Sequence, residues 1–165
     1  MKVLLAILLL VPGFAVAQIP VAPNADHESM LQSKDPQLAR NKRFVYDFWR
    51  EVFEAAHMDL APKYMAETYI QHNPNVPTGR QAFIDFFSKV RKPAAIEQRV
   101  KAPLVAMLAD GDLVVMAFAR EYPDPKDPSH KYTTTWFDMF RVADGRLVEH
   151  WDAATRMAAP TRPTG

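Results

Sequence analysis

Cysteine is absent from the 165-residue chain, which excludes disulfide bonds and a lipid-modified cysteine at a mature N-terminus. An excess of charge of one sign is also absent, since 20 basic residues face 19 acidic ones for a formal net charge of +1. Nothing in this balance favours a nucleic-acid partner. The only uninterrupted apolar run of note covers residues 3–11, well short of the roughly twenty residues that cross a bilayer. What remains is the composition of an ordinary globular protein, 48% hydrophobic and 24% charged.

The N-terminus has the pattern of a secretory signal peptide over residues 1–17. Lys2 gives a positive start, the apolar run follows, and residues 15–17 form a small-residue cleavage site. We therefore expect a periplasmic or secreted protein with no membrane attachment after cleavage, a retained anchor being the less favoured alternative. The composition that follows predicts a flexible tether over residues 18–34. A single domain over residues 35–157 and a disordered tail over 158–165 complete the predicted organisation.

The first half of the predicted domain is helical and the second half is built of strands. Asp35 and Pro36 form a helix start, and apolar residues then recur at helical spacing as far as Ala56. Further helices are predicted at residues 60–65 and 80–91. The strands are predicted at residues 97–108, 113–122 and from 131 onward. Helices followed by strands predict an α+β fold, with N-terminal helices packed on an antiparallel sheet.

Most of the evidence for function lies in the hairpin formed by residues 136–152. β-branched and aromatic residues flank Asp144-Gly145, which is a strong signal for a tight turn. A two-residue loop would place Asp138 opposite Trp151. It would scatter the polar side chains over both faces of the sheet, because side chains alternate along a strand.

A three-residue loop over residues 143–145 instead gathers the polar side chains on one face. The cross-strand pairs are then Asp138 with His150, Trp136 with Asp152, and Phe140 with Val148. We favour this register, because it places two carboxylates and an imidazole among large apolar side chains, where they are costly unless paired or used. The alternative interpretation is an ordinary cross-strand ion pair on a solvated face, which contributes little stability.

A second polar segment follows the first helices. Residues 69–77 cannot be helical through Pro74 and Pro77, and the segment reads as an extended stretch that ends in a loop. His72 or Asn73 is expected to enter the same cavity as the hairpin groups, although an Asn-Pro turn is the simpler alternative.

These motifs together resemble a known family. The residues 69–74 (Tyr-Ile-Gln-His-Asn-Pro), the Gly-x-x-x-Phe helix start at 79–83 and the stretch from Phe140 to Asp152 resemble the SnoaL-like polyketide cyclases. These belong to the nuclear-transport-factor-two-like superfamily, and the resemblance covers residues 41–152. It implies a strongly curved sheet that forms a cone-shaped cavity under the helices. The same cone also hosts isomerases, epoxide hydrolases, dehydratases and non-catalytic binders.

The resemblance also implies roles for single residues. Asp152 matches the general acid/base of the cyclases, and Asn73 matches a pocket asparagine of the epoxide hydrolases. Asp138 falls where the cyclases carry a histidine, so it can donate a proton only if its apolar surroundings keep it protonated.

The function expected from these residues is proton transfer at a carbon next to a carbonyl, as in aldol-type cyclisation or isomerisation. Asp152 would be the base, and His72, His150 or a protonated Asp138 would hold the oxyanion. A small apolar carbonyl ligand would contact the remaining predicted site residues, namely Tyr69, Asn73, Trp136 and Phe140.

This chemistry needs no cofactor, and a metal site built from His72, Asp138 and His150 is less favoured. The alternatives are a module that binds a small apolar ligand without turnover, and an epoxide hydrolase in which Asp152 activates water.

A homodimer is expected through the other face of the sheet, which would be too apolar to remain in water. Back-to-back pairing of two sheets is also what the superfamily resemblance implies. The residues assigned to this outer face are Val105, Met107, Leu113, Val115, Phe137, Met139, Leu147 and Trp151.

Overall fold

A computed structural model describes residues 18–157 of the chain. The predicted signal peptide and the predicted C-terminal tail lie outside the described residues. The helices are α1 (His27–Leu31), α2 (Pro36–Phe48) with a π-helical continuation (Trp49–Glu54), a 3-10 turn (Met58–Leu60), α3 (Ala61–Tyr64) and α4 (Arg80–Val90). The strands are β1 (Met65–Gln71), β2 (Leu104–Asp110), β3 (Leu113–Pro123), β4 (Lys131–Ala143) and β5 (Arg146–Asp152). No helix among residues 18–157 is both long and apolar enough to cross a membrane.

The long first helix begins where its capping residues predict. The Asp35 side chain accepts hydrogen bonds from the backbone N–H groups of Gln37 (2.7 Å) and Leu38 (3.4 Å), and Pro36 occupies the first turn, where its missing N–H costs nothing. The helix buries Val45, Tyr46, Phe48, Trp49 and Val52 along the stripe that faces the sheet.

The five strands form one sheet in the order β1-β5-β4-β3-β2. The three pairs among β2 to β5 are antiparallel, whereas the edge strand β1 runs parallel to β5. The sheet is therefore mixed rather than wholly antiparallel as expected. A parallel pair needs a long crossover connection, and α4 together with β2 to β4 supplies it. The predicted α+β class is confirmed.

The register of the β4–β5 hairpin differs from the expected one. Ala143 pairs with Arg146, so the loop has two residues, and positive φ angles of 50° at Asp144 and 67° at Gly145 give the primed turn that fits a twisted hairpin. A β-bulge follows, because Arg141 pairs with Glu149 while Val142 pairs with Leu147.

The bulge leaves Val148 as an extra residue on β5. Between the bulge and the open end of the hairpin, the pairing is shifted by one residue relative to a regular hairpin with a two-residue loop. Asp138 therefore lies opposite Asp152, and Phe140 lies opposite His150. The predicted pairs of Asp138 with His150 and Trp136 with Asp152 were therefore wrong. The polar groups still share one face, because the bulge compensates for the shorter loop.

Residues 18–34 do not form the loose tether that their composition predicts. The backbone N–H of Val21 donates to Thr133 Oγ1 (2.7 Å), and the buried His27 of α1 lies 2.8 Å from the hydroxyl of Tyr46. These partners lie far away in the sequence, so local composition does not reveal them.

Candidate active site

The helices and the inner face of the sheet enclose a cavity of about 600 Å³. Its wall is rich in aromatic side chains, which come mainly from the end of α2, the π-helical segment, α4 and β4. The aromatic lining residues are Phe48, Trp49, Phe53, Tyr69, Phe83, Phe86, Phe87, Trp136 and Phe140. Such a wall suits a small apolar ligand, and its few polar groups then determine how that ligand is oriented.

Three ionisable side chains meet at the polar end of this cavity. Nε2 of His150 lies 3.1 Å from Oδ1 of Asp138, and both residues are buried, at 6% and 5% exposure. One carboxylate oxygen from each of Asp138 and Asp152 and one ring nitrogen of His150 all lie within 4.8 Å of one another. The structure thus brings together the three hairpin residues that the sequence singled out.

Strand β1 and the residues that follow it complete the polar end. Gln71 Oε1 lies 2.7 Å from Nδ1 of His150, and Nδ2 of Asn73 donates to Oδ2 of Asp152 over 2.6 Å. The other Asp152 oxygen accepts from the backbone N–H of Ala154 (2.9 Å). Both carboxylate oxygens of Asp152 are therefore held in place by neutral donors.

His72 is not part of this cavity, contrary to the expectation that it could supply an oxyanion donor. Its ring stacks on Trp151 with centroids 5.1 Å apart, and its Nε2 lies 2.8 Å from Glu149 Oε1. The physical reason is strand alternation: Gln71 and Asn73 point inward, so His72 between them points outward. The hydrogen bond from His72, together with Arg141, lowers the pKa of Glu149 despite some desolvation.

Tyr69 lines the cavity at 1% exposure. Burial raises the pKa of its phenol well above the usual value, and the negative charges of Asp138 and Asp152 raise it further. Tyr69 therefore stays neutral over the physiological range. Trp136 and Phe140 also line the cavity, as the sequence predicted for both side chains.

Several contributors to the cavity were not predicted from the sequence, among them Gln71, Arg120 and the residues that follow β5. Side chains alternate along an extended segment, so Gln71, two residues before Asn73, could have been predicted to face the cavity as well. Arg120 lines the cavity with its guanidinium 4.8 Å from the centroid of the Trp136 ring, but nothing in the local sequence marks it. The segment 153–157 also lines the cavity, and the side chain of Asn75 anchors it through the carbonyl of Thr155 (2.9 Å) and the N–H of Met157 (2.8 Å).

The metal site considered from the sequence is not assembled, because His72 lies on the opposite face from Asp138 and His150. Asp152 takes the third place, but both of its carboxylate oxygens already accept hydrogen bonds, from Asn73 and from the N–H of Ala154. Two of the donors are also already paired with each other. We assign no metal to this cluster.

The comparison with known families agrees with the motifs. The profile of the SnoaL-like domain family matches residues 45–150, and the chain belongs to this family. The matched region contains the end of α2 and its π-helical continuation, α3, α4, strands β1 to β4 and most of β5, and so holds most of the cavity wall.

Solved structures share the fold at low identity. A candidate polyketide cyclase from Acidithiobacillus ferrooxidans is 21% identical over 73% of this chain and 89% of its own, with a TM-score of 0.48. A candidate SnoaL-like polyketide cyclase from Jannaschia sp. CCS1 is 18% identical over 74% and 91%, with a TM-score of 0.47. An LEH-like epoxide hydrolase of M. tuberculosis is 15% identical over 72% and 81%, with a TM-score of 0.50. No curated protein matches the chain. The helices on an open five-stranded sheet form the α+β cone that was expected.

Proposed function

We propose that this protein is an enzyme that moves a proton at a carbon next to a carbonyl in a small, largely apolar ligand, as in aldol-type cyclisation or isomerisation. The observation that carries the proposal is the placement of Asp152 beside the buried Asp138–His150 pair in a cavity rich in aromatic side chains. General acid/base chemistry needs a base and a proton donor within reach of adjacent ligand atoms.

The spacing of the three groups fits that requirement. Because one oxygen or nitrogen atom from each group lies within 4.8 Å of the other two, a single ligand atom can lie within about 2.8 Å of all three, which is hydrogen-bond distance. Asp152 acts as the base: it takes the proton from carbon, the C–H electron pair forms a carbon–carbon double bond, and the carbonyl electron pair moves to oxygen. The Asp138–His150 pair then gives its proton to that oxygen. When Asp152 returns its proton to the same or another carbon and the ligand oxygen returns its proton to the Asp138–His150 pair, both groups regain their starting protonation states.

Proton exchange on a simple ketone tests this proposal. In buffered D2O, we expect the protein to accelerate the incorporation of deuterium next to the carbonyl of 2-tetralone, an apolar ketone with acidic C–H bonds that is small enough for the cavity. NMR integration of the exchanging protons gives the rate, and heat-denatured protein at the same concentration is the control.

Two other outcomes would favour the alternative functions. Binding of the ketone without exchange above the control would favour a ligand-binding module, which the aromatic wall alone could support. Hydrolysis of styrene oxide with no ketone exchange would favour an epoxide hydrolase. The observation behind that second candidate is the amide–carboxylate pair of Asn73 and Asp152, which could position a water molecule as well as a substrate.

We further propose that the protein acts in the periplasm or outside the cell. The support is the apolar run at residues 3–11 followed by the small residues at 15–17.

The homodimer is also proposed, with a corrected interface. Leu147 is fully buried and Met107 is 5% exposed, so neither lies on the outer face as predicted. Both side chains face inward because each hairpin has a two-residue loop: Ala143 pairs with Arg146 and Asp110 pairs with Leu113, which places Leu147 opposite Val142 and Met107 opposite Met116. The outer face instead carries an apolar row of mutual cross-strand neighbours, namely Leu108, Val115, Met139 and Trp151. Phe137 beside this row is 51% exposed, and a second copy of the sheet would cover it.

Phe137→Glu should separate the dimer, because a carboxylate at the centre of an apolar interface is left without a partner. Sedimentation at micromolar concentration should give a dimer mass for the wild type and a monomer mass for the variant. Val90→Glu is the matched control, since Val90 is 65% exposed on α4, away from the sheet, and it should remain dimeric. A monomer mass for the wild type would contradict the proposed interface.

A further inference from the structure

Gln71 makes two contacts through one atom, and these fix the orientation of its amide. The backbone N–H of Asn73 donates to Oε1 of Gln71 over 2.9 Å. A backbone N–H can only donate, so the atom facing it must be the amide oxygen and not the NH2 group. The usual ambiguity between the two ends of a glutamine side chain is therefore removed here.

The same oxygen determines which nitrogen of His150 carries a proton. Nδ1 of His150 lies 2.7 Å from Gln71 Oε1, and a carbonyl oxygen can only accept. Nδ1 must therefore be the donor. An amide oxygen has two lone pairs, so it can serve the Asn73 N–H and the His150 Nδ1–H together.

A single proton then lies between His150 and Asp138. Nε2 and Asp138 Oδ1 are 3.1 Å apart, and two atoms that both carry lone pairs approach this closely only with a proton between them. The other oxygen, Asp138 Oδ2, is buried and has no hydrogen-bond partner among residues 18–157. An unpaired carbonyl oxygen is less costly to bury than an unpaired carboxylate oxygen, which favours the proton on Oδ1.

We propose that Gln71 is a positioning residue that holds His150 in its Nδ1–H form, so that Nε2 can only receive the Asp138 proton and pass it to the oxygen of a ligand. Without Gln71, the imidazole proton could lie on Nε2 and be donated to an ionised Asp138. The two residues would then hydrogen-bond only to each other, with no Asp138 proton to pass to a ligand. The role of Gln71 in turnover rests on the acid/base function proposed above, whereas its effect on the tautomer of His150 does not.

Two variants of Gln71 distinguish the effect of its accepting oxygen from the effect of its size. Gln71→Met keeps the length of the side chain and removes the acceptor, while Gln71→Glu keeps an accepting oxygen. ¹⁵N NMR of histidine-labelled protein reads the proton on each ring nitrogen directly, and a His150→Gln variant assigns the His150 signals among the five histidines.

In the wild type we expect a protonated Nδ1 and an unprotonated Nε2. Gln71→Met should move the proton to Nε2, and Gln71→Glu should leave Nδ1 protonated. In the ketone-exchange assay, Gln71→Met should lower kcat about tenfold with KM nearly unchanged, and Gln71→Glu should recover part of that loss.

Three results would overturn the proposal. The first is a wild-type ring with a proton on Nε2 and none on Nδ1. The second is a doubly protonated wild-type ring, which would contradict the placement of the proton on Asp138. The third is an unchanged His150 spectrum in Gln71→Met. Because the spectrum needs no substrate, these results remain readable even if the protein catalyses no proton exchange, and the two failures are distinguishable.

Discussion

Asp152→Asn should lower the rate of proton exchange on 2-tetralone by about a hundredfold or more. The substitution keeps the size and polarity of the side chain but removes the base. An asparagine at this position has a single accepting oxygen, so it can keep the hydrogen bond from the N–H of Ala154 but not the one from Nδ2 of Asn73 at the same time. Its size is unchanged, and ketone binding, followed by the fluorescence of Trp49 and Trp136 in the cavity wall, should be nearly unchanged.

Glu67→Gln is the matched control, because it makes the same carboxylate-to-amide change at an exposed position of β1. It should keep the full exchange rate. If Asp152→Asn also keeps full activity, Asp152 is not the base. A loss of both binding and exchange would instead point to a structural role for this carboxylate.

Leu147→Ala should lower the free energy of unfolding by about 3 kcal/mol, the usual cost of truncating a leucine in a packed core. Leu147 is completely buried and lies next to the bulge, opposite Val142. In the three-residue-loop register it would lie on the outer face, and truncation would then cost far less. The variant therefore tests the register as well as the packing.

Val148→Ala is the control for this prediction. Val148 is the extra residue of the bulge and is only partly buried, so its truncation should cost about 1 kcal/mol or less. Urea denaturation followed by circular dichroism measures both variants. The reverse order, with Val148→Ala more costly than Leu147→Ala, would mean that the hairpin has the three-residue-loop register in solution.

The sequence predicts the helices well because their signals are local. Asp35 and Pro36 show where α2 begins, and the apolar spacing shows which face it buries. The turn at Asp144-Gly145 is equally local, and the structure has the two-residue loop that this dipeptide favours. The predicted α+β class and the family resemblance follow from such signals, and both are confirmed.

The register of β5 could not be derived in the same way. The bulge at Val148 turns His150 and Asp152 towards the cavity. Whether their contacts outweigh the lost ladder pairing depends on Gln71 and Asn73, which are distant in the sequence. Neither a two-residue loop nor a three-residue loop alone gives the observed register, which combines a short loop with a bulge. The position of His72, by contrast, was within reach, since Asn73 and His72 are adjacent on an extended segment and cannot both point into the cavity.

The parallel pairing of β1 with β5 has a consequence for how the protein reaches its native state. Gln71 meets His150 and Asn73 meets Asp152, and the two residues of each pair are 79 positions apart in the sequence. Contacts of such long range form late and slowly, because the entropy of closing the loop must be overcome before the contacts stabilise anything. During synthesis the helices and the β2–β3 hairpin can form before the site exists. We therefore expect the acquisition of ketone binding to be the slowest phase of refolding.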